Sequence, residues 1–349
     1  MVTIVGGGIA GSTLAGALAR IGHSVTLHEQ QANDAGGGAF LFIDGRGHHA
    51  LTALGVSEPA LHEASYPLAG LQYVTSTGQR SEMASRGHRF WRRYDLMQIL
   101  NDFVAGSGAD VRYGSQVSEV TVAHRNCIIR TSADGTTTDD LLVAADGINS
   151  VVRRCLEPAR PAVYAGDVVM YGTTTCGLDL PTDQATLHFF AEADAAGGTA
   201  SSTLGHIWHP DDDHVHWFIR LTREPLADAD DLGVHPINEW ADTIMRATPS
   251  NADMVDMFIA NTDVVHVSNA RDVPLDNAAA PTTPALLVGD ADHAITPAAG
   301  VGARDALEDV HAVFQAITSN SSPAAAMAQR RSEIVADRDR VQRARRRGR

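Results

Sequence analysis

The chain has 349 residues, 44% of them hydrophobic, with 27 basic against 42 acidic side chains and a formal charge of −15. That length carries a large core and two domains, or one fold with an inserted layer. The acidity excludes general nucleic-acid binding, no apolar run reaches the length of a membrane span, and every basic residue is arginine, which excludes catalysis by lysine.

Val2 to Val5 read as a buried parallel strand, which leaves no room for a signal peptide ahead of it. Gly6, Gly7 and Gly8 make the turn, "STLAGALARIG" continues as a helix closed by Gly22, and "SVTLHE" is a second strand ending at Glu29. The pattern Gly6, Gly8, Gly11 and then an acid some twenty residues on is a dinucleotide site with its full context. Gly6 permits the tight turn, Gly8 admits a pyrophosphate to the helix N-terminus, and Gly11 lets the helix lie on the strand. A carboxylate at Glu29 suits two ribose hydroxyls and repels a 2′-phosphate, so FAD or NAD is expected here rather than NADP.

Further along, "LLVAADGINSVVR" reads as a strand over 141–145 that ends on Asp146-Gly147, a combination that by itself is an ordinary turn. Residues 162–175, 185–193, 202–210, 214–222 and 263–273 read as strands of a mixed or antiparallel sheet, and 235–248 as a helix. Within it, a four-residue loop over 210–213 sets Ile207 opposite His216 and places Trp208, Val215, Trp217, Leu204 and Ile219 on one face. His209, His214, His216 and Arg220 fall on the other. Three readings of this hairpin stand: a solvated tip over a packed Trp face, a substrate contact through His216 or Arg220, and a metal site. The ligands are strung along one turn without an external partner, so no metal is expected. Tyr171, Phe189 and Phe190 are pocket candidates that serve equally as core.

The last motif is "PALLVGDADHAITPAAGVGARDALEDV". It reads as a strand over 286–288, a Gly289-Asp290 turn, a bend through Pro297, Gly300, Val301 and Gly302, and a helix from residue 303 whose N-terminus favours an anionic group. The tail "RRSEIVADRDRVQRARRRGR" reads as a solvated helix end. Cys127, Cys155 and Cys176 fit neither a zinc site nor a disulfide framework, and a cytoplasmic protein is expected.

Together the three glycine- and aspartate-bearing stretches, in this order and spacing over residues 2–318, resemble the group A flavoprotein monooxygenases, the aromatic hydroxylases of the para-hydroxybenzoate hydroxylase type. The resemblance implies an α/β fold: a Rossmann-like FAD-binding domain, an inserted mixed or antiparallel β-sheet substrate domain, and a C-terminal helix. The implied division is 1–65, 93–160 and 270–320 for FAD, 66–92 and 161–269 for substrate, and 321–349 for the helix and tail. Gly6, Gly8, Gly11 and Glu29 would hold the ADP half of FAD, Asp290 the ribityl chain, and Gly300, Val301 and Gly302 the pyrimidine edge of the flavin. "FWRRYDLMQIL" resembles the family's Arg-x-Asp-Leu helix start and brings Arg93 to the phosphates. Asp146 and Arg153 match the motif linked to FAD and the nicotinamide donor.

The implied activity is hydroxylation of an aromatic or polycyclic small molecule with NAD(P)H and O2 through a flavin C4a-hydroperoxide, with no side chain required as nucleophile. A prenyl-chain reductase and a non-catalytic flavin-binding protein share the motifs and remain alternatives, whereas a halogenase relays its oxidant through a lysine that this chain lacks. Three departures mark the chain: Asp292 where the family's Gly-Asp-Ala-Ala-His has its second alanine, Val301 in place of Gln, and Arg304 in place of Asn. In addition, residues 30–40 lack the arginine often found before the Gly-rich bend.

Overall fold

Val2–Val5 is buried along its whole length and pairs in parallel with Val25–His28 on one side and Leu141–Ala144 on the other. In the computed structural model, which describes residues 1–32, 39–123, 126–131, 136–139, 141–193, 200–227, 231–297 and 300–347, these strands form the centre of a five-stranded parallel sheet. Its order is Ala285–Leu287, Leu141–Ala144, Val2–Val5, Val25–His28, Asp110–Arg112. Such a strand, covered on both faces, needs apolar side chains without alternation, which explains the runs VTIV and LLVA. The order also makes neighbours of three strands far apart in sequence, so their carboxyl ends open on one edge, where open α/β sheets bind ligands.

One face of this sheet is covered by the helices Ile9–Arg20, Arg93–Ala105 and Gly302–Thr318 through Leu14, Leu18, Leu96, Leu100, Leu307, Val310 and Val313. The other is covered by Val152 of the helix Val151–Leu156 and by a three-stranded antiparallel sheet, Val117–Ala123, Asn126–Thr131 and Thr136–Asp139, through Val120, Cys127 and Ile129.

The second layer is an eight-stranded mixed sheet in the order Asp231–Pro236, Val264–Asp272, Val163–Thr173, Val215–Thr222, Ala200–Trp208, Thr186–Ala193, Gly70–Thr75, Arg80–Ala84. Among the described residues, only Gly70–Thr75 and Thr186–Ala193 run parallel in it. The hairpin register is as the alternation requires, with Ile207 opposite His216 and Trp208 opposite Val215. Trp217, Ile219 and Leu204 pack outward on Val255 and Phe258 of the helix Ala252–Ala260. A Cβ at Gly172 would lie 2.2 Å from the Trp217 ring, so only glycine fits across from it. A small sheet, Phe40–Ile43, Arg89–Arg92 and Tyr66–Pro67, joins the two layers.

Two expectations need correction. Residues 235–248 are not one helix: His235 and Pro236 end the edge strand Asp231–Pro236, which pairs with Val264–Asp272, and the α-helix runs only Ala241–Ala247. Pairing with a neighbouring strand outweighed local helical pattern there. Nor is the C-terminal tail uniformly solvated. Pro323–Arg347 is a single helix, and Arg330 is 6% exposed because it reaches the buried carboxylate of Asp309.

Candidate cofactor and active site

The carboxyl ends of the three central strands meet at Gly6. It has φ +98°, and a Cβ there would lie 2.4 Å from the Ala145 carbonyl oxygen and 2.7 Å from Asp146 Cα. Gly11 is equally constrained, since its Cβ would fall 1.9 Å from the Gly6 carbonyl oxygen. Gly8 differs: nothing in the protein lies within 4 Å of a Cβ there, and as the N-cap of Ile9–Arg20 it offers no side chain to the free N–H groups. The helix N-terminus is therefore open to an anion from outside. Glu29 stands beside it, half-buried at the end of Val25–His28, with Oε2 accepting from Gly7 N at 2.6 Å and Oε1 from Gln31 N at 2.7 Å.

Gly289, at φ +56°, ties the third strand to this corner. A Cβ on it would meet Ala306 Cβ at 2.9 Å and Ala10 Cβ at 3.8 Å, so the N-terminal ends of Ile9–Arg20 and Gly302–Thr318 both abut it. Asp290 projects from this junction and is open to solvent, and its Oδ1 lies 3.9 Å from where a Cβ on Gly302 would be. Arg93 starts the helix Arg93–Ala105 with its side chain exposed. Gly300 has φ +65°, and the helix from Gly302 likewise has no side-chain cap. Two uncapped helix N-termini and a carboxylate thus share one edge of the sheet.

Asp146 lies next to Gly6, and its carboxylate is turned to the following helix, where Oδ2 accepts from Val151 N at 2.8 Å and Val152 N at 3.2 Å. Its Oδ1 is buried with no partner, and burial raises its pKa. Arg153 is 2% exposed and donates to the carbonyls of Ile148, Ala291 and, through Nε, Arg160. The geometry makes Arg153 a brace between the second and third motifs.

Tyr171, Phe189, His216 and Arg220 all fall on the face of the large sheet turned away from the Trp217 core, together with Phe218. Phe218 crosses Gly205, where a Cβ would lie 2.2 Å from its ring. Phe40 packs on this face, its ring 5.8 Å from Tyr171, 5.5 Å from His216 and 6.3 Å from Phe218. Phe189 stacks on Tyr73 at 4.4 Å. Phe190 faces the opposite way, with His188 and His206. Arg220 donates to Thr203 Oγ1 at 3.2 Å, with Asp167 3.6 Å away.

His216 is 2% exposed and has both ring nitrogens engaged, Nε2 with Asp212 Oδ2 at 3.0 Å and Nδ1 with Thr173 Oγ1 at 3.1 Å. It supports Phe40 and Phe90, whose ring lies 4.6 Å away, rather than meeting a ligand through nitrogen. Asp212 also accepts from His214 Nδ1 at 3.1 Å. Burial would raise the Asp212 carboxyl, but hydrogen bonds from His216 and His214 hold it down at about 2. Sequence reasoning missed Phe40, Phe90 and Tyr66. Tyr66 stacks on Phe90 at 4.8 Å, and its hydroxyl is buried with no partner. Strand pairing assembles these three, and no local motif marks them.

The open N-terminus at Gly8, the Glu29 carboxylate beside it, and a second carboxylate, Asp290, at a second open N-terminus fit the pyrophosphate, the adenosine ribose and the polyol of FAD respectively. Residues 1–326 match the FAD_binding_3 family, an FAD binding domain. The chain is 26% identical over 358 residues to kynurenine 3-monooxygenase of Salinispora arenicola, covering 94% of this chain and 74% of the relative. It is 27% identical over 331 residues to 3-amino-4-hydroxybenzoate 2-monooxygenase of Streptomyces cremeus, covering 88% and 76%. The fold is that of Klebsiella pneumoniae HpxO, solved with FAD and uric acid, at a TM-score of 0.76 and 20% identity over 95% of this chain and 83% of that one. The chain therefore belongs to the FAD_binding_3 family, as a flavoprotein of the group A monooxygenase type.

Proposed function

We propose that this protein is an FAD-dependent monooxygenase that uses NAD(P)H and O2 to hydroxylate an aromatic small molecule. The observation that carries the reading is that the uncapped helices starting after Gly8 and at Gly302 both abut Gly289, with Asp290 beside Gly302, while a second sheet presents Tyr171, Phe189 and Phe218 on one face. The monooxygenase names of two relatives that align along most of the chain support it.

FAD, when bound, supplies reduction by NAD(P)H and activation of O2 for transfer of one oxygen atom. The protein's residues hold, orient and shield. Gly8 leaves room for the pyrophosphate at the helix N-terminus, Gly6 and Gly11 let the turn and helix close beneath it, and Arg93 would add a cation there. Glu29 keeps lone pairs for the ribose hydroxyls beyond its bonds to Gly7 and Gln31. Asp290 would accept from the ribityl hydroxyls, while Asp146, beside Gly6, takes up the first N–H groups of the helix Val151–Leu156. Gly300, Val301 and Gly302 would offer backbone N–H groups and a positive helix end to the pyrimidine edge of a bound flavin. The aromatic face excludes water and gives a flat substrate a flat surface. Among the described residues, no helix is long and apolar enough to cross a membrane.

The test is O2 uptake by the purified flavoprotein with NADH or NADPH and a panel of phenols, anilines and fused aromatic acids. Hydroxylated product formed in step with NAD(P)H use is expected. Substrate-stimulated NAD(P)H oxidation with no oxygen in the product would leave a reductase in its place.

A further inference from the structure

The turn that carries Asp290 is held from behind by arginines. Arg153 Nη1 donates to the Ala291 carbonyl at 2.8 Å, Arg160 Nη1 to that of Asp292, and Arg338 Nη2 to that of His293 at 2.7 Å. Its side chains are held as well. The His293 ring nitrogen Nε2 lies 2.5 Å from Asp309 Oδ2, which also accepts from Gly289 N at 3.0 Å, while Arg330 Nε reaches Asp309 Oδ1 at 3.1 Å. Arg330, Arg331 and Arg338 all come from the helix Pro323–Arg347, which lies outside the parallel sheet.

Asp292 is the critical member. It is 0% exposed, and a carboxylate without water must be matched by cations. Its Oδ1 accepts from Arg331 Nη2 at 2.6 Å and Arg160 Nη2 at 2.9 Å, and its Oδ2 from Arg331 Nε at 2.8 Å. Arg160 is already shared, since it also holds Glu157 at 2.8 and 2.9 Å. Without Arg331, two carboxylates would divide one guanidinium, and Asp292 Oδ2 would lose its bond. An alanine at this position, the residue of the family pattern, makes no such demand.

We propose that the C-terminal helix is part of the cofactor site. Arg331 neutralises Asp292 and so sets the turn that aims Asp290 at the flavin's ribityl chain, which makes FAD binding conditional on docking of this helix. Arg331 is a positioning residue, two steps from the cofactor. The inference rests on the reading of Asp290 given above.

The full-length protein, freed of FAD, is titrated with FAD and separately with ADP, which needs only the corner of Gly6, Gly8 and Glu29. Arg331→Ala should weaken FAD by about tenfold or more while ADP stays within about threefold of the parent. Arg331→Lys keeps the charge without the two-pronged bond and should fall between them; it carries the test if Arg331→Ala does not fold. The double variant Asp292→Ala with Arg331→Ala removes both charges and should bring FAD back to within about threefold. Unchanged FAD affinity in Arg331→Ala, equal loss of FAD and ADP, or no recovery in the double variant would each overturn the proposal. Asp290→Ala is measured alongside. If it leaves FAD binding unchanged, the assignment of Asp290 fails first; if it weakens FAD and Arg331→Ala does not, only the role of the helix fails.

Discussion

Gly7 N donates to Glu29 Oε2 at 2.6 Å, and a Cβ on Gly7 would lie only 3.0 Å from that same oxygen. The middle glycine of the triplet thus lets the carboxylate of the second strand close on the turn of the first. Glu29→Ala should remove this contact and with it the charge-assisted bonds to ribose, each of about 1.5–3 kcal/mol. FAD affinity should fall tenfold or more, by roughly that energy, as read by flavin fluorescence on titration. Unchanged affinity would take Glu29 out of the site.

Gly8 and Gly11 make opposite demands. Alanine at 11 would drive a Cβ to 1.9 Å from the Gly6 carbonyl oxygen, whereas alanine at 8 meets no protein atom within 4 Å. Gly11→Ala should destabilise the apoprotein by about 1–3 kcal/mol or more through overpacking. Gly8→Ala should leave its melting temperature within about a degree, its effect on stability being small at a site with open space, yet weaken FAD. A Gly8→Ala variant that binds FAD normally would show that the pyrophosphate does not approach this backbone.

Asp290→Ala should affect more than cofactor retention. With its bond to the ribityl chain gone, the ring position loosens, and a shift of about 1 Å can cost roughly a hundredfold in rate. With FAD saturating, NAD(P)H oxidation should persist weakly while the ratio of hydroxylated product to NAD(P)H falls and H2O2 rises. Coupling equal to the parent's would remove Asp290 from flavin positioning.

The Asp212 carboxyl, held at about 2 by His216 and His214 against the opposing effect of burial, makes a pH-dependent contribution to stability. Its folded pKa lies below the unfolded one, so the contribution is present above the unfolded value and is lost as pH falls towards about 2. Urea unfolding should show Asp212→Asn less stable than the parent by about 1 kcal/mol at neutral pH, after allowance for solvent screening. That gap should narrow steadily below about pH 4. A gap independent of pH would mean that the carboxylate's charge contributes nothing.

The hairpin histidines should hold no metal. Two of them, His214 and His216, already share Asp212. Dialysis against a chelator should leave turnover intact, and elemental analysis should find no stoichiometric zinc, iron or copper. One tightly held metal per chain would reverse this.

What the sequence determined by itself is local. Glycines at 6, 8 and 11, an acid at 29 and strands running into Gly6, Asp146 and Asp290 are legible because each rests on a short-range steric or capping rule. The hairpin register was legible too, since alternation with period two leaves a half-buried strand few choices. Tertiary structure decided what these pieces do to one another. Phe40 and Phe90 join His216, and Tyr66 joins Phe90 and His209, only because the small sheet packs on the large one, and pairing of that kind leaves no trace in adjacent residues. His235 and Pro236, read as the start of a helix, instead end the edge strand Asp231–Pro236 because Val264–Asp272 offers backbone groups to pair with. The arginines of the last helix looked like a solvated charge run because their partners, Asp292 and Asp309, lie 39 and 21 residues away in sequence. A buried charge is identified by what surrounds it, and only the folded chain supplies those surroundings.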